Sequence, residues 1–202
     1  MSIINYENLA QTLDTRVVKT KRSIFIALVS LLQTQRLEEI TITDICKKAL
    51  INRKTFYCHY DSVQSSFTDM ESLIIAGYIN ELKHKNIILM PDFSASTFIQ
   101  FTHDLIQKYK QDFKTLYPYF RKGTFVRELG TALGKEVAKY VMDNPSIHDE
   151  SVFIFSFVFS LTGLLVSYFD WIDSEQPVPL THLKQTAETV FSIPLRDILR
   201  TE

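Results

Sequence analysis

The stretch TITDICKKALINRKTFYCHY, residues 41–60, decides the fold of this chain. Thr41 offers an N-cap oxygen, and Asp44 places an acid in the turn that follows. These two residues predict a short helix over about 42–49. Apolar residues follow the cap at helical spacing, so we expect one face of this helix to turn inward.

A second short helix is expected after a turn of three or four residues. Asn52 can cap this helix, which is expected over 53–59. Ile45 and Ala49 face inward from the first helix, and Phe56 does so from the second. Two short helices joined in this way form a helix-turn-helix, whose second helix enters the major groove of DNA.

The second helix is expected to present polar side chains to solvent. They are Arg53, Lys54, Thr55, Tyr57 and His59. Arg and Lys at the start of such a helix reach guanine edges or phosphates, and Thr, Tyr and His donate hydrogen bonds to phosphate oxygens. Packing between helices is the alternative role for Tyr57 and His59.

The stretch resembles the DNA-binding domain of the TetR family of transcriptional regulators. The family pattern is roughly T-[VIM]-x-D-I-A-x-x-A-G-V-S-x-x-T-[FL]-Y-x-[HY]-F. It is matched at Thr41, Ile42, Asp44, Ile45, Ala49, Thr55, Phe56, Tyr57 and His59. The preceding TKRSIFIALVSLLQTQRLEEI is similar to the family's first helix and the loop after it. The clear similarity covers residues 15–70, and beyond them only the pattern of a long helical remainder matches.

The resemblance implies an all-α fold of about nine helices. It places a helix-turn-helix DNA-binding domain at 1–62 and an effector-binding and dimerisation domain at 63–202. The implied function is that of a transcriptional regulator, a repressor, which binds a near-palindromic operator as a homodimer and responds to a small-molecule or protein effector. The implied contacts to double-stranded DNA are Thr41, Thr43, Arg53, Lys54, Thr55, Tyr57 and His59.

Two positions depart from the family pattern. The family's Gly in the turn is Leu50 here, and a left-handed Leu would be strained by about 1–2 kcal/mol unless the turn is rebuilt. The family's Lys at the head of the fourth helix is Val63, which removes one phosphate contact. The alternative is therefore a regulator of the same fold that acts mainly through a protein partner, with weakened DNA binding.

The charge of the chain is unevenly distributed. Lys and Arg total 22 and Asp and Glu total 23, a net charge of −1 that by itself suggests no nucleic-acid partner. Residues 1–60 nevertheless carry nine basic and five acidic groups, a net charge of +4, and the remainder carries −5. This asymmetry is typical of a polyanion-binding module joined to an acidic one, or of solvated helix faces.

The rest of the chain is also expected to be helical. Five Gly and six Pro are too few for the turns of a many-stranded β fold. Helices are expected over 15–35 (capped by Asp14 or Thr15), 63–85, 94–110, 121–142, 150–173 and 181–191. The expected breaks are Met90-Pro91-Asp92, Pro118, Asn144-Pro145, Pro177, Pro179 and Pro194.

The segment Ser151–Phe169 carries no charge. Its Phe residues alternate as in a strand, and its length approaches that of a membrane span. Hydroxyl residues interrupt the segment and acids flank it, which favours a helix buried on more than one side and no membrane partner. The second buried side of this helix packs either against another subunit or inside the core of its own chain. In the first case the interface consists of Phe155, Phe159, Gly163 and Val166.

The segment 70–195 contains candidates for an effector pocket but none for catalysis. His103, Tyr117 and Phe120 are the pocket candidates, because aromatic side chains near a cation suit a planar or anionic ligand. An ordinary packing core is the alternative. No catalytic spacing, phosphate loop or paired metal ligands occur there. We therefore expect neither enzymatic activity nor a bound metal or cofactor.

Location is predicted from two further features. Two cysteines that need not pair fit a reducing compartment, and MSIINYENLAQTLD does not read as a secretion signal. We therefore expect a cytoplasmic protein.

Overall fold

The computed structural model describes residues 14–87, 93–122, 124–142, 150–174 and 178–199. In these ranges the regular structure is helical and contains no strand, so the predicted all-α class is confirmed. The N-terminal segment, Met90-Pro91-Asp92, Asn144-Pro145 and Pro177, on which expectations were placed above, lie outside these ranges.

Nine α-helices and one 3-10 helix occur in the described residues. They are α1 (Thr15–Leu32), the 3-10 helix (Leu37–Glu39), α2 (Ile42–Ala49), α3 (Arg53–Tyr57), α4 (Val63–His84), α5 (Ala95–Lys108), α6 (Lys110–Lys122), α7 (Phe125–Met142), α8 (Glu150–Ile172) and α9 (Leu180–Leu199). The segment with alternating Phe residues is therefore helical, and a strand there is excluded.

The first three α-helices begin at the caps that the sequence predicts. A carboxylate oxygen of Asp14 accepts a first-turn backbone N–H of α1 at 2.7 Å. Thr41 and Asp44 form a reciprocal capping box at the start of α2, with bonds of 3.2 and 3.0 Å. The side-chain oxygen of Asn52 accepts a backbone N–H of α3 at 2.7 Å. All three caps are confirmed.

The chain divides into two compact units. Unit 1 consists of the described residues up to Tyr78 together with Tyr109–Lys122, and unit 2 consists of Ile79–Lys108 and the residues after α6. Unit 1 thus contains α1, α2, α3, most of α4, and α6. The predicted boundary at residue 62 divides a DNA-binding domain from an effector-sensing domain. This functional division stays a prediction.

An aromatic cluster forms part of the core of unit 1. Phe25 on α1, Phe56 on α3 and Tyr60 are all buried. The Tyr60 ring lies 6.1 Å from that of Phe25 and 5.8 Å from that of Phe56, centroid to centroid. Ile45 on α2 is also fully buried, as its inward position in the sequence predicts. The two helices of the motif are therefore held by α1.

The expected break at Pro118 is wrong, because Pro118 lies inside α6. A proline in a helix interior costs about 3 kcal/mol, since it removes a hydrogen bond and crowds the preceding turn. Phe113, Leu116 and Phe120 are buried on the inner side of α6, whereas Pro118 is exposed. Packing of one helix face thus outweighs the local preference. In α9, likewise, the helix continues through Pro194.

In unit 2, α7 and α8 approach each other closely at two glycines. A Cβ built on Gly130 would lie 2.7 Å from Oγ1 of Thr162, and one on Gly134 would lie 2.8 Å from Cγ2 of Val158. Contacts this short are not tolerated by real Cβ atoms, so the absence of a side chain at these positions permits the packing. The i, i+4 spacing puts both glycines on the same face of α7.

A glutamate of α9, distant in the sequence, caps the N-terminus of α5. One carboxylate oxygen of Glu188 accepts the Ser96 backbone N–H at 2.8 Å and the Ser94 hydroxyl at 3.1 Å. Glu188 thereby satisfies donors at the N-terminus of α5. The rings of Phe93, Phe157 and Phe191 form the apolar contact of α9 with α8 and with the segment before α5.

Gly134→Ala is expected to destabilise the fold through the contact with Val158. A valine in a helix has one strongly preferred rotamer, so its methyl group cannot turn away freely. The strain should cost about 1–3 kcal/mol, partly offset by about 1 kcal/mol of gained helix propensity. Urea unfolding measures the change. Val158→Ala removes the obstructing methyls, so the double variant should be more stable than additivity predicts. Strict additivity would contradict the close approach.

Candidate nucleic-acid interface

The exposed face of α3 carries two cations and an aromatic ring. Arg53 and Lys54 are exposed, and Tyr57 is half exposed. Nη2 of Arg53 donates to the Tyr57 hydroxyl at 3.3 Å, and the guanidinium carbon lies 5.9 Å from the centre of the Tyr57 ring. The two side chains thus form one unit along the helix, at i, i+4 spacing. These three predicted DNA contacts lie together.

Thr55 and His59 are half-buried beside this face. The hydroxyl of Thr55 donates to the side-chain oxygen of Asn52 at 3.0 Å, so it belongs to the cap of α3. The His59 ring lies 6.3 Å from that of Tyr60. Tyr60 is thus the neighbour on which His59 would pack in the alternative role. The phosphate contacts of Thr55 and His59 stay predictions.

Thr41 and Thr43, at the start of α2, are exposed. The Thr41 hydroxyl donates to Oδ2 of Asp44 at 2.5 Å. Hydrogen bonds from the hydroxyl and the backbone N–H of Thr41 hold the pKa of Asp44 below its usual value. The Thr41 hydroxyl therefore caps the helix, whereas no such role is seen for Thr43.

The turn between α2 and α3 keeps a left-handed residue at Leu50. Its φ is 57° and its ψ is 42°. The Ile51 N–H donates to the Cys46 carbonyl at 3.0 Å and the Leu50 N–H to the Lys47 carbonyl at 3.4 Å, which is a Schellman ending. The Leu50 side chain is 91% exposed. The turn is thus not rebuilt around the missing glycine, and Leu50 bears the strain.

Serines cap α4, which begins at Val63. The Ser65 N–H donates to the Ser62 hydroxyl at 3.0 Å, and the Ser62 N–H donates to the Ser65 hydroxyl at 3.2 Å. Val63 is half-buried. At the position where the resemblance leads one to expect a lysine, the start of this helix therefore has an uncharged valine, between serines whose hydroxyl groups form the cap.

A polar cluster behind α3 was not anticipated from the sequence. Oδ2 of Asp69, on α4, accepts a hydrogen bond from the Tyr60 hydroxyl at 2.6 Å and pairs with Nζ of Lys21, on α1, at 2.8 Å. Burial, followed by the hydrogen bond to Asp69, raises the pKa of Tyr60. The only signal in the sequence was Tyr60 itself, which stands where the family pattern has Phe.

The helix α8 has two apolar faces. Phe153, Phe157, Leu161 and Leu165 are buried in unit 2. On another face Phe155 and Phe159 are 71% and 72% exposed, with their rings stacked 6.2 Å apart. Gly163 and Val166 are exposed, and a Cβ built on Gly163 would meet nothing within 4 Å. All four predicted interface residues therefore lie on the surface of the chain.

In the described part of the chain, one helix is long and apolar enough to cross a membrane, and it is α8 over Ser151–Ile172. Core helices of soluble proteins pass the same test of length and composition.

The three candidate pocket residues do not belong to one unit. Tyr117 and Phe120 lie in unit 1, where the Phe113 ring stacks on Tyr117 at 5.3 Å. His103 lies in unit 2, with Nδ1 3.1 Å from the hydroxyl of buried Tyr168. Each residue thus has packing partners inside its own unit, and a shared effector pocket stays a prediction.

Comparison of the chain with protein-family models, with curated proteins and with solved structures returns no match. Among the residues that the structure describes, no three His, Cys, Asp or Glu side chains gather in a way that would hold a metal ion.

Leu50→Gly is expected to stabilise the protein. Glycine relieves about 1–2 kcal/mol of left-handed strain but adds about 0.5–1 kcal/mol of chain flexibility in the unfolded state. The net gain of up to about 1.5 kcal/mol raises the thermal midpoint by up to roughly 6 °C. Leu50→Ala is the control, since it keeps the Cβ and therefore the strain. Equal midpoints for the Gly and Ala variants would contradict the prediction, since the strain at Leu50 would then be no larger than the cost of the flexibility that glycine adds.

Proposed function

We propose that this protein is a TetR-like transcriptional regulator that binds double-stranded DNA as a homodimer. The observation that supports the proposal best is the geometry of α2 and α3. The capped helices, tied to α1 by the burial of Phe56, present Arg53, Lys54 and Tyr57 together on an exposed face. A short helix with cations at its start, held by a second helix, is the arrangement that reads a major groove.

In this proposal the cations at the start of α3 read the DNA. Arg53 can form paired hydrogen bonds to the O6 and N7 of guanine, whereas Lys54 acts as a point charge on guanine or phosphate. The hydrogen bond to Tyr57 holds the guanidinium of Arg53 along the helix axis before DNA arrives. The hydroxyl of Tyr57 has a second lone pair and its proton available for a phosphate oxygen.

The proposed dimer forms through the exposed apolar face of α8. Phe155, Phe159 and Val166 would lose their contact with water, and Gly163 would let a helix of the second copy approach closely. The face is suited to isologous pairing, because one surface can cover itself in a two-fold dimer. Two α3 helices related by that axis would then read two half-sites of a near-palindromic operator.

The regulator would act in the cytoplasm as a repressor whose operator affinity changes when an effector binds. A small-molecule or protein effector can shift this equilibrium only by its difference in affinity for the two states. A regulator that works mainly through a protein partner is the alternative. It would bind that partner without DNA and select no duplex.

The DNA-binding proposal is tested by selecting duplexes from a random library with the purified protein. Lys54→Ala should weaken binding of the selected duplex by about 10- to 100-fold if Lys54 reads a base. It should lower the salt slope by about one if Lys54 neutralises a phosphate. Lys85→Ala removes the same charge from an exposed site in unit 2 and should change neither. No enrichment of any duplex at moderate salt would overturn the proposal.

The dimer is tested by replacing Phe155 and Phe159 together with Ser. Each buried Phe stabilises an interface by about 1.5–3 kcal/mol, so dimerisation should weaken by more than about 100-fold. Sedimentation measures the association, and circular dichroism should show an intact helical fold, since both rings are exposed in the single chain. Val178→Ser, at another exposed apolar residue, serves as the control. A double variant that remains dimeric would place the interface elsewhere.

A further inference from the structure

One carboxylate oxygen joins three separate segments of unit 1. Oδ2 of Asp69, on α4, lies 2.8 Å from Nζ of Lys21, on α1, and 2.6 Å from the hydroxyl of Tyr60. Nζ of Lys21 also lies 5.4 Å from the centre of the Tyr60 ring. The three groups form a closed set in which each contacts the other two, and we call it the Asp69 cluster.

Tyr60 connects this cluster rigidly to α3. Its backbone N–H donates to the Phe56 carbonyl at 3.0 Å, so a hydrogen bond holds Tyr60 at the C-terminal end of the helix. Its ring is buried between those of Phe56 and Phe25. A displacement of α3 relative to α4 would therefore change the distance from the Tyr60 hydroxyl to Asp69, which Lys21 ties to α1.

The cluster is not needed to fill the core. A phenylalanine at position 60 would occupy the same space and make the same ring contacts. The buried hydroxyl instead requires an acceptor, and Asp69 is the acceptor that it has. Hydrogen bonds to a charged group are short and depend strongly on direction, so the cluster fixes an orientation that apolar packing alone leaves looser.

We propose that Asp69 is a positioning residue for the recognition of DNA sequence. It holds Tyr60, and through it α3, at the angle to α1 that base readout requires. The proposal rests on the DNA-binding function proposed above. It goes further by assigning sequence discrimination to a residue that does not face the DNA.

Specific and non-specific binding should respond differently to loss of the cluster. Non-specific binding comes from the attraction of exposed cations to phosphates and tolerates small changes in helix angle. Readout of bases needs hydrogen bonds within a few tenths of an ångström of their best length. Release of α3 should therefore lower the affinity for a chosen sequence and spare the affinity for other sequences.

The test compares Asp69→Asn and Tyr60→Phe with the wild type. Asn is close to Asp in size but lacks the charge that pairs with Lys21, and Phe removes only the hydroxyl. The probes are a duplex that the wild type selects from a random library and a scrambled duplex of equal length. Ser72→Ala, which removes another polar group from α4, is the control. Each variant is measured well below its thermal midpoint, with its fold checked by circular dichroism.

We expect both variants to lower the ratio of specific to scrambled affinity by about tenfold. Scrambled binding and its salt slope should stay at the wild-type values. The double variant should lose little more than either single variant, since each single change already breaks the link that runs from Lys21 through Asp69 to Tyr60. Equal losses on both duplexes would reduce the cluster to a structural role and overturn the inference.

The failure of this inference can be told apart from the failure of the proposed function. A wild-type protein that selects no duplex defeats both. A wild-type protein that selects a duplex, with variants that keep the wild-type ratio, defeats the positioning role of Asp69 alone. A wild-type ratio of specific to scrambled affinity in Tyr60→Phe, with a lower ratio only in Asp69→Asn, would also contradict the inference. Tyr60 is the proposed link to α3, so its hydroxyl should matter as much as Asp69.

Discussion

The burial of Phe56 is the contact on which the rest of the proposed DNA-binding surface depends. The helix that carries it has five residues, far too few to be stable alone in water. The Phe56 side chain is fully buried, and the ring of Tyr60, which it contacts, lies between it and α1. The exposed cations of α3 make few contacts of their own, so their positions are set from the opposite side of the helix. The proposed recognition of DNA at this surface would therefore depend on the core beneath it.

Features that depend on neighbouring residues could be predicted from the sequence. The caps at Asp14, Thr41 and Asn52 each use a side chain and a backbone N–H within three residues, so the residue type alone determines the outcome. The left-handed conformation at Leu50 could be predicted only as one of two alternatives, because a Schellman ending needs it whereas a rebuilt turn would have avoided the strain. The exposure of Arg53, Lys54 and Tyr57 and the buried position of Phe56 followed from helical periodicity, whereas Thr55 and His59 of the same predicted face are half-buried.

Features that depend on distant residues could not be predicted in this way. The helix through Pro118 exists because the side chains around that proline are buried by other segments, which the local pattern does not reveal. Asp69 and Lys21 are 48 residues apart, and nothing in either neighbourhood pairs them. The close approach at Gly134 needs the identity of the facing residue on another helix. Single residues near the candidate site were therefore identified, whereas the contacts that orient them were not.

Because α6 belongs to unit 1, this unit is built from two separate segments of the chain, which limits how it can be exchanged between genes. The Tyr119 hydroxyl of α6 accepts the Leu37 N–H at 3.1 Å, so a residue 82 positions further along the chain supports the 3-10 helix before α2. The chain passes between the units three times, at Tyr78, Lys108 and Lys122. A module that is continuous in sequence can be transferred by one exchange of coding DNA. Transfer of unit 1 would have to move two separate segments together, which ties the evolution of the proposed DNA-binding surface to that of the unit 2 residues between them.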